Sequence, residues 1–338
     1  MATPTATASL SLWAILSESK RIINAHSRHF LALSVIFLLP LSFSLIVSPF
    51  LFPLLLSPSH SSHIHILLRF SQPQPDNPPQ NPSLPFSISF SLPLLLFFLF
   101  LLLFSLCALA SITHSVFHGF FGRPVKLLSA ILSIPSSFSP LLATSILSHL
   151  ILFSLSLSLP LLALLLDQLG VAISLSSPIF LTASALLLFA LVFAVIYLRV
   201  SWTLASVIVI AESTWGLQPL RRSASLMKGM KGVGASSFFF FASLQGLLLW
   251  STSVLVVGSD GWAWKDWAFV VQIVLTSTLL MLLMLYNAAA DTVLYMYCKA
   301  VHGELAFEIA EEFAWQYVSL PFDEGKVPHV VSVVNVRV

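Results

Sequence analysis

Long apolar runs separated by short polar segments dominate the pattern of this chain. A helix that crosses the roughly 30 Å hydrocarbon core of a bilayer needs about 20 apolar residues. Alternating Leu and Ser at positions 155–159 would suit a strand, but membrane strands have about 10 residues and these runs are more than twice as long. The pattern therefore predicts an all-α fold, a polytopic membrane helix bundle of about six transmembrane helices with additional interfacial amphipathic helices. The six predicted spans cover residues 30–56, 86–112, 140–166, 178 to beyond 200, 238–257 and 267–297.

Composition supports a membrane protein. The 338 residues are 57% hydrophobic and 8% charged, whereas a soluble domain carries about 25% charged residues. A net charge of +2 argues against a nucleic-acid-binding protein. The two cysteines, Cys107 and Cys298, lie in or beside predicted spans and give no sign of a disulfide framework.

The distribution of Lys and Arg predicts the orientation. Twelve of these residues fall in segments on one side of the predicted spans and two on the other. Because cytoplasmic segments carry the excess of positive charge, both termini are predicted to be cytoplasmic. We expect a cytoplasmic amphipathic segment (1–29), a membrane domain (30–297) with a Pro-rich external loop (57–85), and a cytoplasmic tail (298–338). The predicted location is an endomembrane, in the endoplasmic reticulum or secretory pathway, or the plasma membrane.

Two ionisable residues lie inside predicted spans. Arg199 is about 21 residues into the fourth span and Asp291 about 24 residues into the sixth. Both helices are predicted to run from outside to inside, so their side chains reach a similar depth near the cytoplasmic boundary. An Arg199–Asp291 ion pair is therefore a hypothesis, with a purely structural role or snorkelling of Arg199 to the interface as the alternative.

The fourth apolar stretch is too long for a perpendicular crossing. Residues 178–211 would form a straight helix of about 51 Å. Such a helix has to tilt, bend onto the membrane surface or project into space packed by protein.

A short cationic helix is predicted at residues 217–229, on the cytoplasmic side. Leu217, Leu220, Ala224 and Met227 would form its apolar face. Its basic residues suit anionic headgroups of the lipid bilayer, although ordinary positive-inside topology explains them equally well. An acidic amphipathic helix is predicted in the tail. It is a possible partner of this cationic helix in place of lipid, and it is also a candidate contact for a protein partner. The candidate anionic-lipid contacts are Arg221, Arg222, Lys228 and Lys231.

Catalytic and metal-binding signatures are weak. His114 and His118 lie on one helix face, but no acidic residue flanks them and a zinc site needs about three protein ligands. No Gly-x-Ser-x-Gly, Walker or His-Glu-x-x-His motif occurs. The sequence therefore predicts a protein that is not an enzyme, with no cofactor and no metal.

Several short motifs resemble those of one family. They are Leu12 to Ser19, Leu39 to Ser42, Glu212 with Gly216, Arg222-Ser223, Leu226 to Gly229, and Asp291 to Lys299 ahead of His302. In these the chain resembles plant multi-pass membrane proteins of unknown function, some loosely labelled polyadenylate-binding-protein-binding. That family is distantly similar to the membrane domain of bacterial glycerophosphodiester phosphodiesterases. The resemblance implies architecture and plant origin, and the phosphodiesterase activity is not carried over because its catalytic domain has no counterpart here.

Two functions follow from this sequence. The favoured one is a non-enzymatic structural, scaffolding or lipid-organising role, and the alternative is a small-solute transporter or channel. A water-lined cavity that reaches Arg199 would favour transport, whereas a closed, lipid-packed bundle would favour the scaffold.

Overall fold

The structure is a computed structural model that describes residues 11–55, 63–66, 88–123, 125–168, 178–257 and 267–305. Eleven helices and two strands occur in this part of the chain. In chain order they are α1 (Leu12–Ala25), α2 (Ser27–Leu33), α3 (Leu39–Leu55), β1 (His63–Ile66), β2 (Ile88–Ser91), α4 (Leu92–Phe120), α5 (Leu127–Leu132), α6 (Ile134–Gln168), α7 (Pro178–Ser201), α8 (Ala205–Glu212), α9 (Leu217–Leu226), α10 (Lys231–Val257) and α11 (Trp267–Val301).

Six helical segments of the described chain are long and apolar enough to cross a membrane. They are α2 with α3, α4, α6, α7 with α8, α10 and α11, which confirms the predicted all-α polytopic bundle. The helix α11 is at the centre and packs against α1, α3, α4 and α10. Small side chains at Ala288, Ala289 and Ala290 are buried there. Small residues of this kind let membrane helices approach closely, where the lipid supplies no hydrophobic force between them.

The second span begins later than predicted. Ile88–Ser91 forms β2, which pairs antiparallel with β1 so that His63 lies opposite Ser91. The helix starts only at Leu92, and Pro93 is its second residue. Proline disfavours helical geometry in the residue before it, yet it is tolerated in the first turn, where its missing N–H has no helical partner anyway. The Pro-rich segment 71–85 lies outside the described residues.

Prolines inside the spans are compensated locally. Between α2 and α3 the residues Ser34–Leu38 form a π-helical turn directly before Pro40. A wider turn relieves the clash between a proline ring and the carbonyl four residues earlier. Further along, Pro49 removes the donor that would pair with the Leu45 carbonyl, and Ser48 Oγ donates to that carbonyl at 2.8 Å. Serine hydroxyls thus replace lost backbone bonds in the bilayer.

The fourth apolar stretch breaks in two. The helix α7 ends at Ser201, residues 202–204 form a turn, and α8 follows. At the break the Ala205 N–H bonds the Trp202 carbonyl, which frees the Ser201 carbonyl, and Ser223 Oγ of α9 donates to it at 2.7 Å. Side chains of α8 such as Val207 and Ile208 are completely buried, and α8 packs against α4, α6, α9 and α11. Of the three predicted outcomes, the stretch takes the one in which it projects into protein.

Two short amphipathic helices pack on the bundle. The helix α1 buries Ile15 and Ile22, packing mainly on α11, and leaves Trp13 exposed. The helix α9 buries Leu220 and Leu226 against its neighbours. Leu217, predicted for the apolar face, is instead exposed, because the buried face of α9 runs through Leu220, Ser223 and Leu226. The apolar face of α9 therefore contacts protein.

Candidate functional site

A partly open cavity of about 320 Å³ lies between helices of the bundle. Residues of α4, α6, α7, α8, α9, α10 and α11 and of the turn after α7 line it. The size is at the lower end of the roughly 300–1,000 Å³ of small-molecule sites. A small solute would fit such a space.

Arg199 and Asp291 are on the wall of this cavity. Arg199 is in the last turn of α7 and is exposed, whereas Asp291 is a half-buried residue of α11. Within the described residues, neither side chain has a hydrogen bond or salt bridge to a protein group. The hypothesised ion pair is therefore not formed in this structure, because the two charged groups face a common space without meeting.

Two amides share the wall. Gln245 of α10 and Asn287 of α11 both line the cavity, and Asn287 is one helical turn before Asp291 on the same face. No other group in the described chain hydrogen-bonds to either amide. A polar side chain at membrane depth is costly without a partner. The half-buried Gln245, Asn287 and Asp291, together with the exposed Arg199, thus form a site for a polar occupant.

The rest of the wall is mixed. Ser145, Ser148 and His149 of α6 add polar atoms, and Ser148 Oγ and His149 Nδ1 are already engaged with the backbone carbonyl of Ser145. The apolar part is contributed from several helices by Leu106, Leu109, Leu141, Leu152, Trp202, Leu220, Phe238 and Phe241. The site therefore offers a polar side and an apolar side to its occupant.

The turn between α8 and α9 is hydrogen-bonded to α6, one of the helices that line the cavity. The helix α8 ends at Glu212 and is followed by Ser213 in a left-handed conformation (φ 52°), and Gly216 (φ 75°) precedes α9. Glycine adopts a positive φ without steric cost. The Gly216 N–H donates to Thr144 Oγ1 of α6 at 3.1 Å. This bond holds the α8–α9 turn against the helix that carries the serines of the wall.

A polar network lies next to the cavity, on the predicted cytoplasmic side. Arg222 of α9 forms salt bridges with Glu212 of α8, at 3.5 Å from Nε to Oε1, and with Glu304 after α11. The Tyr295 hydroxyl donates to Glu212 at 2.9 Å. Burial lowers the pKa of Arg222, but the hydrogen bond and charge of Glu304 and the charge of Glu212 outweigh it, so the pKa is raised. The network ties α8, α9 and α11 together, and four of its residues lie in or beside the motifs that carry the family resemblance.

The four candidate lipid contacts have different surroundings. Arg222 is occupied by its two carboxylate partners. Lys231 donates to the Tyr197 hydroxyl and lies 4.5 Å from the centroid of its ring. Arg221 and Lys228 are exposed, so they are the residues of this group most open to headgroups. The predicted acidic helix of the tail lies outside the described residues beyond position 305.

The described histidines and cysteines do not cluster as metal ligands do. The rings of His114 and His118 stack with centroids 4.2 Å apart, and His29 contacts Ser115 at 2.9 Å. No group of three or more potential ligands with metal-site geometry occurs in the described ranges. Cys298 is fully buried and both cysteines are free thiols.

Sequence reasoning overlooked Gln245, Asn287 and the role of Glu212. The amides are uncharged, so a search for ionisable residues within spans passes over them. The spacing of four between Asn287 and Asp291 was a usable signal, because it places both on one helix face. The contact of Arg222 with Glu212 and Glu304 joins residues 10 and 82 positions apart, which no local pattern reveals.

Comparison with known families gives one match. Residues 4–310 match the model of a family described as a domain of unknown function, DUF8558. The chain belongs to this family. Neither a curated protein nor a solved structure matches it.

Proposed function

We propose that this multi-pass membrane protein carries a small solute across its membrane and binds that solute in the cavity beside Arg199. The observation that supports the proposal is that Arg199, Gln245, Asn287 and Asp291 converge on one space and have no partners among the described residues. Gln245, Asn287 and Asp291 are half-buried, and without an occupant they would have no partner among the described residues. A polar occupant gives them partners.

The packing of α7 supports a carrier. This helix contributes Arg199 to the cavity and packs mainly against α6, α9 and α10. Many of its side chains face outward, including Leu186, Phe189 and Phe193. A peripheral helix that ends in a break at residues 202–204 is suited to hinge motion, and broken helices beside a central binding site recur in transporters.

A reconstitution experiment tests this function. The purified protein in liposomes should move at least one compound of a broad panel of small polar solutes faster than empty liposomes do. Asn287→Leu should abolish that flux, because it removes one of the cavity amides and fills part of the space. Gln272→Leu is the matched control, since Gln272 is on the same helix outside the cavity. Absence of flux for the whole panel, or equal flux in Asn287→Leu and Gln272→Leu, contradicts the proposal.

A lipid-organising role is a second candidate because of the exposed surface beside α9. Trp215, Arg221 and Lys228 are exposed there, which combines an aromatic ring and two cations at the predicted cytoplasmic boundary. Under this proposal the doubly substituted Arg221→Ala, Lys228→Ala protein retains less anionic lipid through purification than the unmodified protein. Equal retention contradicts it.

A further inference from the structure

We infer that the cavity binds a zwitterion with an apolar side group, the chemical class of the neutral α-amino acids. This inference rests on the proposed solute-binding function and names the substrate class of the same site. It is carried by the charges, the amides and the apolar wall of the cavity taken together.

The site contains one basic and one acidic group. Arg199 supplies a guanidinium and Asp291 a carboxyl group, and neither has a salt-bridge partner in the described chain. An anion would pair with Arg199 and repel Asp291, and a cation would do the reverse. An opposite charge placed beside either group is attracted to it, and a like charge is repelled. A solute with one positive and one negative group satisfies both residues at once, with its carboxylate on Arg199 and its ammonium on Asp291.

The amides extend the polar part of the site. Asn287 is on the same face of α11 as Asp291, and Gln245 approaches from α10. An amide offers both a donor and an acceptor, so each can bind either the ammonium or the carboxylate of the solute. The α-ammonium and α-carboxylate of an amino acid together offer three donors and two acceptor oxygens, which four polar side chains can satisfy.

The apolar part of the wall selects the side group. Leu109, Trp202 and Phe238 are half-buried, so they are the apolar side chains whose accessible surface lies open to an occupant. Apolar contact there is favourable by about 25 cal/mol for each Å² removed from water. A side group such as that of leucine or phenylalanine gains this energy, whereas a sugar would place hydroxyls against an apolar surface. The volume of about 320 Å³ leaves room for a molecule of this size.

A binding experiment with truncated probes tests the assignment. Leucine, 4-methylpentanoate and 3-methylbutylamine share one side group and differ only in their charged groups. Binding to the full-length protein in nanodiscs is measured by calorimetry, with phenylalanine as a larger zwitterion and glucose as an uncharged solute. We expect one of the two zwitterions to bind and, if leucine is the one bound, each one-charge analogue to bind at least about 10-fold more weakly.

Substitutions separate the two charges. Arg199→Gln should reduce the preference for leucine over 3-methylbutylamine, and Asp291→Asn should reduce its preference over 4-methylpentanoate. Arg221→Gln is the control and should leave both preferences unchanged, because Arg221 is exposed outside the cavity. A variant that had merely lost its fold would lose both preferences together, whereas each of these substitutions should affect a different one.

The possible outcomes separate a failure of the zwitterion assignment from a failure of the proposed transport function. Equal or tighter binding of either one-charge analogue overturns the zwitterion and assigns a singly charged solute to the cavity. Binding or transport of glucose alone also overturns it, while solute transport itself stands. If no probe binds, the inference fails, and if the broad flux panel is negative as well, the proposed function fails with it.

Discussion

The salt bridges of Arg222 provide a quantitative test of the packing of α8 and α9. Arg222→Ala removes the group that joins Glu212 to Glu304 and leaves the two carboxylates near each other. The Arg222, Glu212 and Glu304 side chains are 36%, 23% and 34% exposed, so solvent screens their attraction substantially. An exposed pair contributes about 0.2–1 kcal/mol, and breaking a buried pair costs about 3–5 kcal/mol. For two pairs of intermediate burial we expect a loss of about 2 kcal/mol.

The assay compares two neighbouring arginines. Arg221 is on the same helix, is exposed and forms no ion pair with a described residue, so Arg221→Ala is the matched control. In detergent, thermal unfolding followed by tryptophan fluorescence should show an apparent Tm about 3–6 °C lower for Arg222→Ala and nearly unchanged for Arg221→Ala. A double-mutant cycle with Glu304→Ala should give a coupling energy of about 1 kcal/mol. Equal apparent Tm values for the two arginine variants would refute the reasoning.

The raised pKa of Arg222 also predicts how this difference depends on pH. A group with a raised pKa in the folded state stabilises that state below its unfolded pKa and stops doing so as the pH rises through the folded value. Both values for arginine lie far above neutrality. The difference in Tm between Arg222→Ala and the unmodified protein should therefore stay constant from about pH 7 to pH 9. A difference that shrinks across this range would show that Arg222 is not the group responsible.

Two further predictions concern other contacts, and a third concerns the orientation in the membrane. Tyr295→Phe removes the hydrogen bond to Glu212 and should cost about 1 kcal/mol, measured as a lower apparent Tm, and an unchanged Tm contradicts a stabilising bond. Gly234→Val should cost about 1–3 kcal/mol, because a Cβ there would be 2.1 Å from Cε of the fully buried Met227. Gly246→Val should cost less, because a Cβ there would meet no described side chain within 4 Å. Protease protection of tagged protein in sealed microsomes should show both termini accessible from the cytoplasmic side, and opposite placement of the two ends contradicts the predicted topology.

The sequence alone determined the membrane architecture. Six apolar runs specify six helices because a segment that crosses the bilayer has to be long and apolar. Both are local properties of the chain. The excess length of residues 178–211 also showed that the fourth stretch could not be a simple crossing. Tertiary contacts decided that this stretch breaks into two helices instead of tilting or lying on the membrane surface. The break at residues 202–204 is stabilised by Ser223, which is 22 positions from the carbonyl it bonds.

The arrangement of the cavity residues depended on tertiary structure more than the membrane architecture did. Depth along the helices placed Arg199 and Asp291 at one level, but depth does not fix how helices rotate about their axes. Packing turned both residues toward a common cavity without a salt bridge between them, and it brought Gln245 and Asn287 to the same wall. In the same way Arg222, a candidate lipid contact by sequence, is engaged by Glu212 and Glu304. Hydropathy is a local property of the sequence. The partner of a charged side chain depends on which helices pack together, which is a property of the whole bundle.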